Sequence, residues 1–181
     1  RPRAMINTMH TTVARPPVSA WVGLGANLGD ARASVLAAIE ALGRLPHTRL
    51  RRASSLYRSA PWQAEGADFI NAVAELHTHL SAPDLLQELQ ALEQAAGRAR
   101  PYRNAPRTLD LDLLLHGDLW RQTERLTLPH PRLAERAFVL LPLLQVCAAL
   151  PWQIVLPPGL DASDWPARAQ RLAAEQGIAP A

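Results

Sequence analysis

Asp110 and Asp112 stand two residues apart in Arg107-Thr108-Leu109-Asp110-Leu111-Asp112, with Leu109, Leu111 and Leu113 alternating between and after them. The two-residue period of a strand puts both carboxylates on one face, roughly 7 Å apart. Held side by side they repel, so the arrangement costs stability unless a cation neutralises it. Hard carboxylate oxygens suit magnesium, which bridges readily to phosphate oxygens. The bare alternation equally suits an ordinary solvent-facing strand, and it is the preceding loop that tips the reading. Arg98, Arg100, Arg103 and Arg107 lie just before the pair. Their planar donor forks match the oxygens of a triphosphate. The expectation is metal-bound nucleotide chemistry.

What the chain lacks narrows that chemistry. All 19 Lys-or-Arg positions are Arg, so no lysine is available anywhere in the 181 residues. That excludes a Walker-type P-loop, the strand lysine of protein kinases and Schiff-base catalysis. The single Cys147 lies in an apolar stretch, cannot form an internal disulfide and has no partner at zinc or redox spacing. A reducing cytoplasm is the expected setting. A net charge of +3 built on arginine is weak evidence for nucleic acid. No apolar run reaches the roughly 20 residues needed to cross a bilayer, since 137–150 is broken by Pro142 and Gln145. A soluble protein is expected, with residues 1–17 as a disordered extension and 18–181 as a single domain.

The elements that must position the acidic pair are legible in the hydrophobic pattern. Residues 18–24 form a short apolar run closed by Gly23, Gly25 and Asn27, which predicts a strand and a turn. After Asp30, Val35, Leu36, Ile39, Leu42 and Leu45 recur at helical spacing until Pro46. Residues 49–58 read as one strand with mixed alternation. A loop over 59–67 then leads to a clearer strand over 68–79, with Phe69, Asn71, Val73, Glu75 and His77 opposite Ile70, Ala72, Ala74 and Leu76. Ser81, Pro83 and Asp84 predict a helix start, Leu85, Leu86, Leu89 and Leu92 its buried stripe, and Gly97 its end. A basic loop and the strand over 108–116 follow. Residues 131–147 read as helical with a break near Pro142, 152–156 as a strand-like patch, and a weak helix follows Asp164. The order β-α-β-β-α-β predicts an α+β, ferredoxin-like antiparallel sheet with helices packed on one face, plus C-terminal additions.

Four motifs in this order carry a family resemblance: Gly23-Leu24-Gly25-Ala26-Asn27-Leu28, Phe69-Ile70-Asn71-Ala72, Pro106-Arg107-Thr108-Leu109-Asp110-Leu111-Asp112, and Leu128-Pro129-His130-Pro131 with Arg136 and Phe138. Together they closely resemble the 6-hydroxymethyl-7,8-dihydropterin pyrophosphokinases of folate biosynthesis, over about residues 18 to 156. The resemblance implies transfer of pyrophosphate from ATP to 6-hydroxymethyl-7,8-dihydropterin, giving AMP and the pterin diphosphate. It makes Asp110 and Asp112 ligands of two magnesium ions, and it adds Arg98 and Arg107 as the catalytic triphosphate arginines. It places ATP on Gln90, Glu93, Arg98, Arg100, Arg107, Arg125, Thr127, His130 and Arg136. The pterin falls to Phe69 and Phe138 as stacking faces, to Asn71 as the reader of its edge, and to groups around Ser59, Ala60 and Trp62. Arg103-Asn104-Ala105 stands where many members carry Arg-Trp-Gly, and Pro131 stands where an aromatic residue is common.

The implied partners are these small molecules alone, with no nucleic acid and no membrane, on a monomeric enzyme. A nucleic-acid-binding module of the same element order fits less well, because the strand that would face the phosphate backbone presents Asp110 and Asp112. A regulatory domain that binds a ligand without chemistry is separable by metal-dependent binding of an ATP analogue.

Overall fold

The computed structural model describes residues 15–61, 66–97, 109–148 and 154–181. Its elements are β1 (Val18–Ala26), α1 (Ala31–Leu42), β2 (Thr48–Ala53), β3 (Tyr57–Ser59), β4 (Phe69–Thr78) and α2 (Ala82–Ala96). They continue with β5 (Asp110–His116), β6 (Arg121–Gln122), β7 (Thr127–Leu128), α3 (Ala137–Ala148), α4 (Trp165–Gln176) and β8 (Ala179–Pro180). The main sheet runs β5-β1-β4-β3-β8, with β2 also paired to β4, and its pairings are antiparallel. β6 and β7 form a separate small hairpin.

Both early helices begin where their caps place them. The Asp30 side chain accepts from the Ala33 N–H at 3.0 Å, and the Ser81 hydroxyl accepts from the Asp84 N–H at 3.2 Å. α1 and α2 then bury Val35, Ala38, Leu42, Leu85 and Leu89 on one sheet face, against Ala20, Val22, Leu24, Ile70, Ala72, Ala74, Leu76, Leu109, Leu111 and Leu113. The expected alternation of β4 and β5 is therefore the one observed. The C-terminal additions α3 and α4 pack on the opposite face, where Val139, Leu140, Leu143, Trp165 and Ala169 meet Trp21, Val73, Leu114 and Leu115. A bulge in the β1–β5 pairing between Trp21 and Val22 shifts the register there.

Five expectations need correction. β1 runs on through Gly23 and Gly25 to Ala26, because both glycines are paired with β4 and β5. The strand expected over 49–58 is two. At Ser54 the side chain takes over the ladder, its hydroxyl accepting from the Val73 N–H at 2.9 Å while the Ser54 N–H donates to the Val73 carbonyl at 2.8 Å. The chain bends there before β3. The helix expected from Pro131 begins only at Ala137, since the preceding residues close turns from Leu133 to His130 and from Glu135 to Arg132. It is unbroken at Pro142, whose neighbours Val139, Leu140, Leu143 and Val146 are buried. That burial outweighs the one backbone hydrogen bond the proline cannot make. Finally, Ile154, Val155 and Leu156 form no strand, while the last strand is β8. Residues 1–14 lie outside the described residues, and the Arg15 carbonyl oxygen lies 2.8 Å from His79 Nδ1.

Candidate active site

The face that carries Asn71 is floored at one end by glycine. Gly25 of β1 is paired on one side with Asn71 of β4 and on the other with Asp110 of β5, and Gly23 is paired with Val73 and Asp112. With strands about 4.8 Å apart, Asn71 and Asp110 face each other across a side-chain-free strip roughly 10 Å wide. A Cβ at Gly25 would stand 3.3 Å from Asn71 Oδ1. The strip is thus kept open by the absence of a side chain. Over it lies a pocket of about 810 Å³.

Asn71 is only 3% exposed, and its Nδ2 donates to the Ser59 hydroxyl at 2.8 Å. That bond anchors one end of the amide, and its oxygen lies on the side of the Gly25 strip. Phe69, two residues earlier on the same strand face, and Phe138, in the first turn of α3, also line the pocket and are half-buried. Ala60 and Pro61 continue the wall beyond Ser59. An Arg136 guanidinium nitrogen lies 3.8 Å from Asp112 Oδ2, and its carbon lies 5.5 Å from the centre of the Phe138 ring. Arg136 therefore links the acidic strand to the aromatic wall. Such a partly exposed pair contributes little to stability, about 0–1 kcal/mol, which leaves the arginine available to another anion.

Of the residues expected at the site, Ser59, Ala60, Phe69, Asn71, Asp110, Asp112, Arg136 and Phe138 line this one pocket. Trp62, Arg98, Arg100 and Arg107 lie outside the described residues. Gln90, Glu93, Arg125, Thr127 and His130 are elsewhere, around β5. Glu93, near the end of α2, accepts from the Leu111 N–H at 3.3 Å, between the two aspartates in sequence. Arg125 lies in the turn of the β6–β7 hairpin, Thr127 lies on β7, and β7 packs against β5. Gln90, Arg125 and Thr127 are exposed. His130 is tied to β5 by its N–H, which donates to the Leu114 carbonyl at 2.9 Å. Burial lowers its pKa, with Arg136 and Arg132 adding to the effect and Asp112 opposing it. The ring is accordingly neutral near pH 7. Its Nδ1 accepts from the Arg132 N–H at 3.2 Å, which leaves the proton on Nε2.

Among the described residues there is no group of three or more His, Cys, Asp or Glu side chains arranged to hold a metal ion. Two carboxylates are nonetheless the donor set that suits magnesium, which keeps several waters and takes its remaining ligands from phosphate oxygens. Gly25, Asn27, Arg132, Glu135 and Gln176 also line the pocket and were not expected there. Gly25 reads in sequence as a turn glycine, and Gln176 follows no motif at all.

Comparison with known proteins gives the family. A model of the 7,8-dihydro-6-hydroxymethylpterin-pyrophosphokinase (HPPK) family matches residues 21–148. The chain is 47% identical over 131 residues to the 2-amino-4-hydroxy-6-hydroxymethyldihydropteridine pyrophosphokinase of Pseudomonas aeruginosa, covering 72% of this chain and 81% of that one. To the protein of the same description from Haemophilus influenzae it is 42% identical over 134 residues, covering 74% and 84%. A crystal structure of Plasmodium falciparum HPPK-DHPS superposes with a TM-score of 0.52 at 12% identity, covering 72% of this chain and 40% of that one. That likeness is one of fold.

Proposed function

Because the chain belongs to the 7,8-dihydro-6-hydroxymethylpterin-pyrophosphokinase family, we propose that its two substrates meet at β5, with the pterin in the pocket and the nucleotide along the strand's outer side. The enzyme transfers pyrophosphate from ATP to 6-hydroxymethyl-7,8-dihydropterin. The observation that carries the site assignment is the shared wall: Asn71 and Phe69 line the same pocket as Asp110 and Asp112. A flat heteroaromatic ring gains from stacking on Phe69 and Phe138, and a pterin edge offers donors and acceptors that the anchored Asn71 amide can pair.

In this reading Asp110 and Asp112 hold two magnesium ions, and the family reaction implies ATP as co-substrate. Bound there, the ions neutralise the charge on the phosphate oxygens. Arg136 supports the triphosphate from the pocket side, while Gln90, Glu93, Arg125, Thr127 and His130 form its outer border. Arg98, Arg100 and Arg107, which precede β5 in sequence, add their charge to the triphosphate, and Trp62 is assigned to the pterin. The hydroxymethyl oxygen attacks the β-phosphorus in line and gives up its proton to solvent, and the bond from that phosphorus to the bridging oxygen on the α-phosphate breaks, so AMP departs with its electron pair. No covalent enzyme intermediate is needed, which agrees with the absence of lysine.

No helix among the described residues is long and apolar enough to cross a membrane. A cytoplasmic setting suits the buried Cys147, whose thiol is pushed up to about 11 by burial. The test is a coupled measurement of AMP release against a binding titration. AMP should appear only when ATP, magnesium and the hydroxymethylpterin are all present, and a non-hydrolysable ATP analogue should bind only with magnesium. Metal-independent binding of the analogue would remove Asp110 and Asp112 from the nucleotide site.

A further inference from the structure

The C-terminal helix reaches into the pocket wall through one side chain. Gln176, the last residue of α4, lies beyond the stretch that matches the family, yet it lines the pocket. Its amide makes two bonds to backbone on either side of Arg136. The Ala137 N–H donates to Gln176 Oε1 at 2.9 Å, and Gln176 Nε2 donates to the Glu135 carbonyl at 3.1 Å.

The local sequence explains why such a clamp is needed. The Arg136 carbonyl accepts from the Val139 and Leu140 N–H groups, so Arg136 occupies the N-cap position of α3. A cap residue usually supplies a side-chain oxygen to the first free N–H groups of its helix, and arginine has none to give. Gln176 supplies an oxygen to the first of them from another helix. The same amide holds the carbonyl just before Arg136, so the backbone on both sides of this residue is fixed by a single planar group.

Further contacts hold Gln176 in place. Gly177, at φ 69°, ends α4 in the left-handed conformation, and both its N–H and that of Ile178 donate to the Ala173 carbonyl. The chain then enters β8, which pairs with β3, the strand that ends in Ser59. Within α4, an Arg168 guanidinium nitrogen lies 3.5 Å from the Ala134 carbonyl. The C-terminal segment thus touches the pocket wall at two places, at the 134–137 backbone and at the strand of Ser59.

We infer that Gln176 is a positioning residue for the transfer reaction, holding Arg136 towards the nucleotide and Phe138 towards the pterin by clamping the backbone on either side of Arg136. The inference rests on the assignment of Arg136 and Phe138 to the substrate site made above. Gln176 itself needs no contact with either substrate.

The test replaces the amide without emptying its space. Gln176→Met keeps the length and most of the volume and removes both hydrogen bonds, and the half-buried position tolerates the change. Melting temperature, magnesium-dependent affinity for a non-hydrolysable ATP analogue and affinity for the hydroxymethylpterin are measured on this variant, on Arg136→Ala and on the double variant. Expected is a loss of roughly three- to tenfold in both affinities for Gln176→Met, the worth of one or two neutral hydrogen bonds. For the ATP analogue, the effect of Gln176→Met should shrink to less than twofold when Arg136 is already alanine, as coupled residues require. A lowered melting temperature with both affinities unchanged would make Gln176 a structural residue only and overturn the inference. Equal losses with and without Arg136 would overturn its route through that residue. If Arg136→Ala leaves ATP-analogue affinity unchanged, the site assignment itself fails, a result distinct from failure of the clamp.

Discussion

The two faces of the sheet are built from the same strands and spend their residues differently. On the face under α1 and α2, β4 and β5 present Ile70, Ala72, Ala74, Leu76, Leu109, Leu111 and Leu113 to a continuous core. On the other face the same strands present Phe69, Asn71, Asp110 and Asp112. Only the far end of that second face, around Val73, Leu114 and Leu115, is covered by α3 and α4. The period of two lets one strand serve both purposes, because successive side chains point to opposite faces of the sheet. Stability is concentrated on one side and chemistry on the other, so substitutions on the two faces should separate cleanly.

The largest effect is expected from Asp112→Ala. Losing a metal ligand should lower turnover by about a thousandfold, equivalent to ~4 kcal/mol in the barrier. The melting temperature should hold, since the ion pair this carboxylate makes with Arg136 at 3.8 Å is partly exposed. Near-normal turnover at saturating magnesium would break the assignment. The mirror experiment is Leu76→Ala on the sealed face, where the side chain is fully buried. Unfolding free energy should fall by about 2–5 kcal/mol, while the folded fraction binds the ATP analogue with unchanged affinity. A loss of affinity at protein concentrations and temperatures where the variant is fully folded would show that the faces are coupled.

Smaller effects sharpen the comparison within the open face. Gly25→Ala places a methyl 3.3 Å from Asn71 Oδ1, and pterin affinity should drop by roughly tenfold as the amide is displaced. Unaltered affinity would mean that Asn71 does not read the ring. Phe69→Leu and Phe138→Leu should each weaken pterin binding by about threefold to tenfold, the worth of an aromatic pair beyond area burial. Phe138 also packs against the α3–α4 core. Its variant should therefore lose some stability as well, whereas Phe69→Leu should not; equal melting temperatures for the two would argue against that division.

The smallest expected effect is a pH dependence. Burial lowers the pKa of His116, and its hydrogen bond to the Leu80 carbonyl only partly opposes this. A histidine with a folded pKa below its ordinary 6.5 is protonated more readily in the unfolded chain. Stability from this source is therefore present above pH 6.5 and is lost as pH falls below it towards the folded value. Melting temperature should decline between pH 7.5 and 5.5, and His116→Gln should flatten part of that slope. An unchanged slope would assign the dependence to other groups, His77 and His130 among them, whose pKa values are also lowered.

Local chemistry alone settles much of this protein. The caps at Asp30 and Ser81, the alternation of β4 and β5 and the side-by-side placement of Asp110 and Asp112 depend on residues within a few positions of each other, and the folded chain shows each as expected. The ordered motifs also carry the family resemblance. What the sequence leaves undecided is wherever a residue answers to a distant partner. Ser54 splits a strand because it bonds to Val73, nineteen residues away. The helix of α3 passes through Pro142 because the neighbouring leucines and valines find a core made chiefly by β4 and α4. Gln176 enters the pocket wall through bonds to Glu135 and Ala137, about forty residues away. Periodicity and capping are properties of neighbouring residues, which the sequence lists in order. Long-range hydrogen bonds and the burial that overrides a proline exist only once the chain has closed, so tertiary structure alone could decide them.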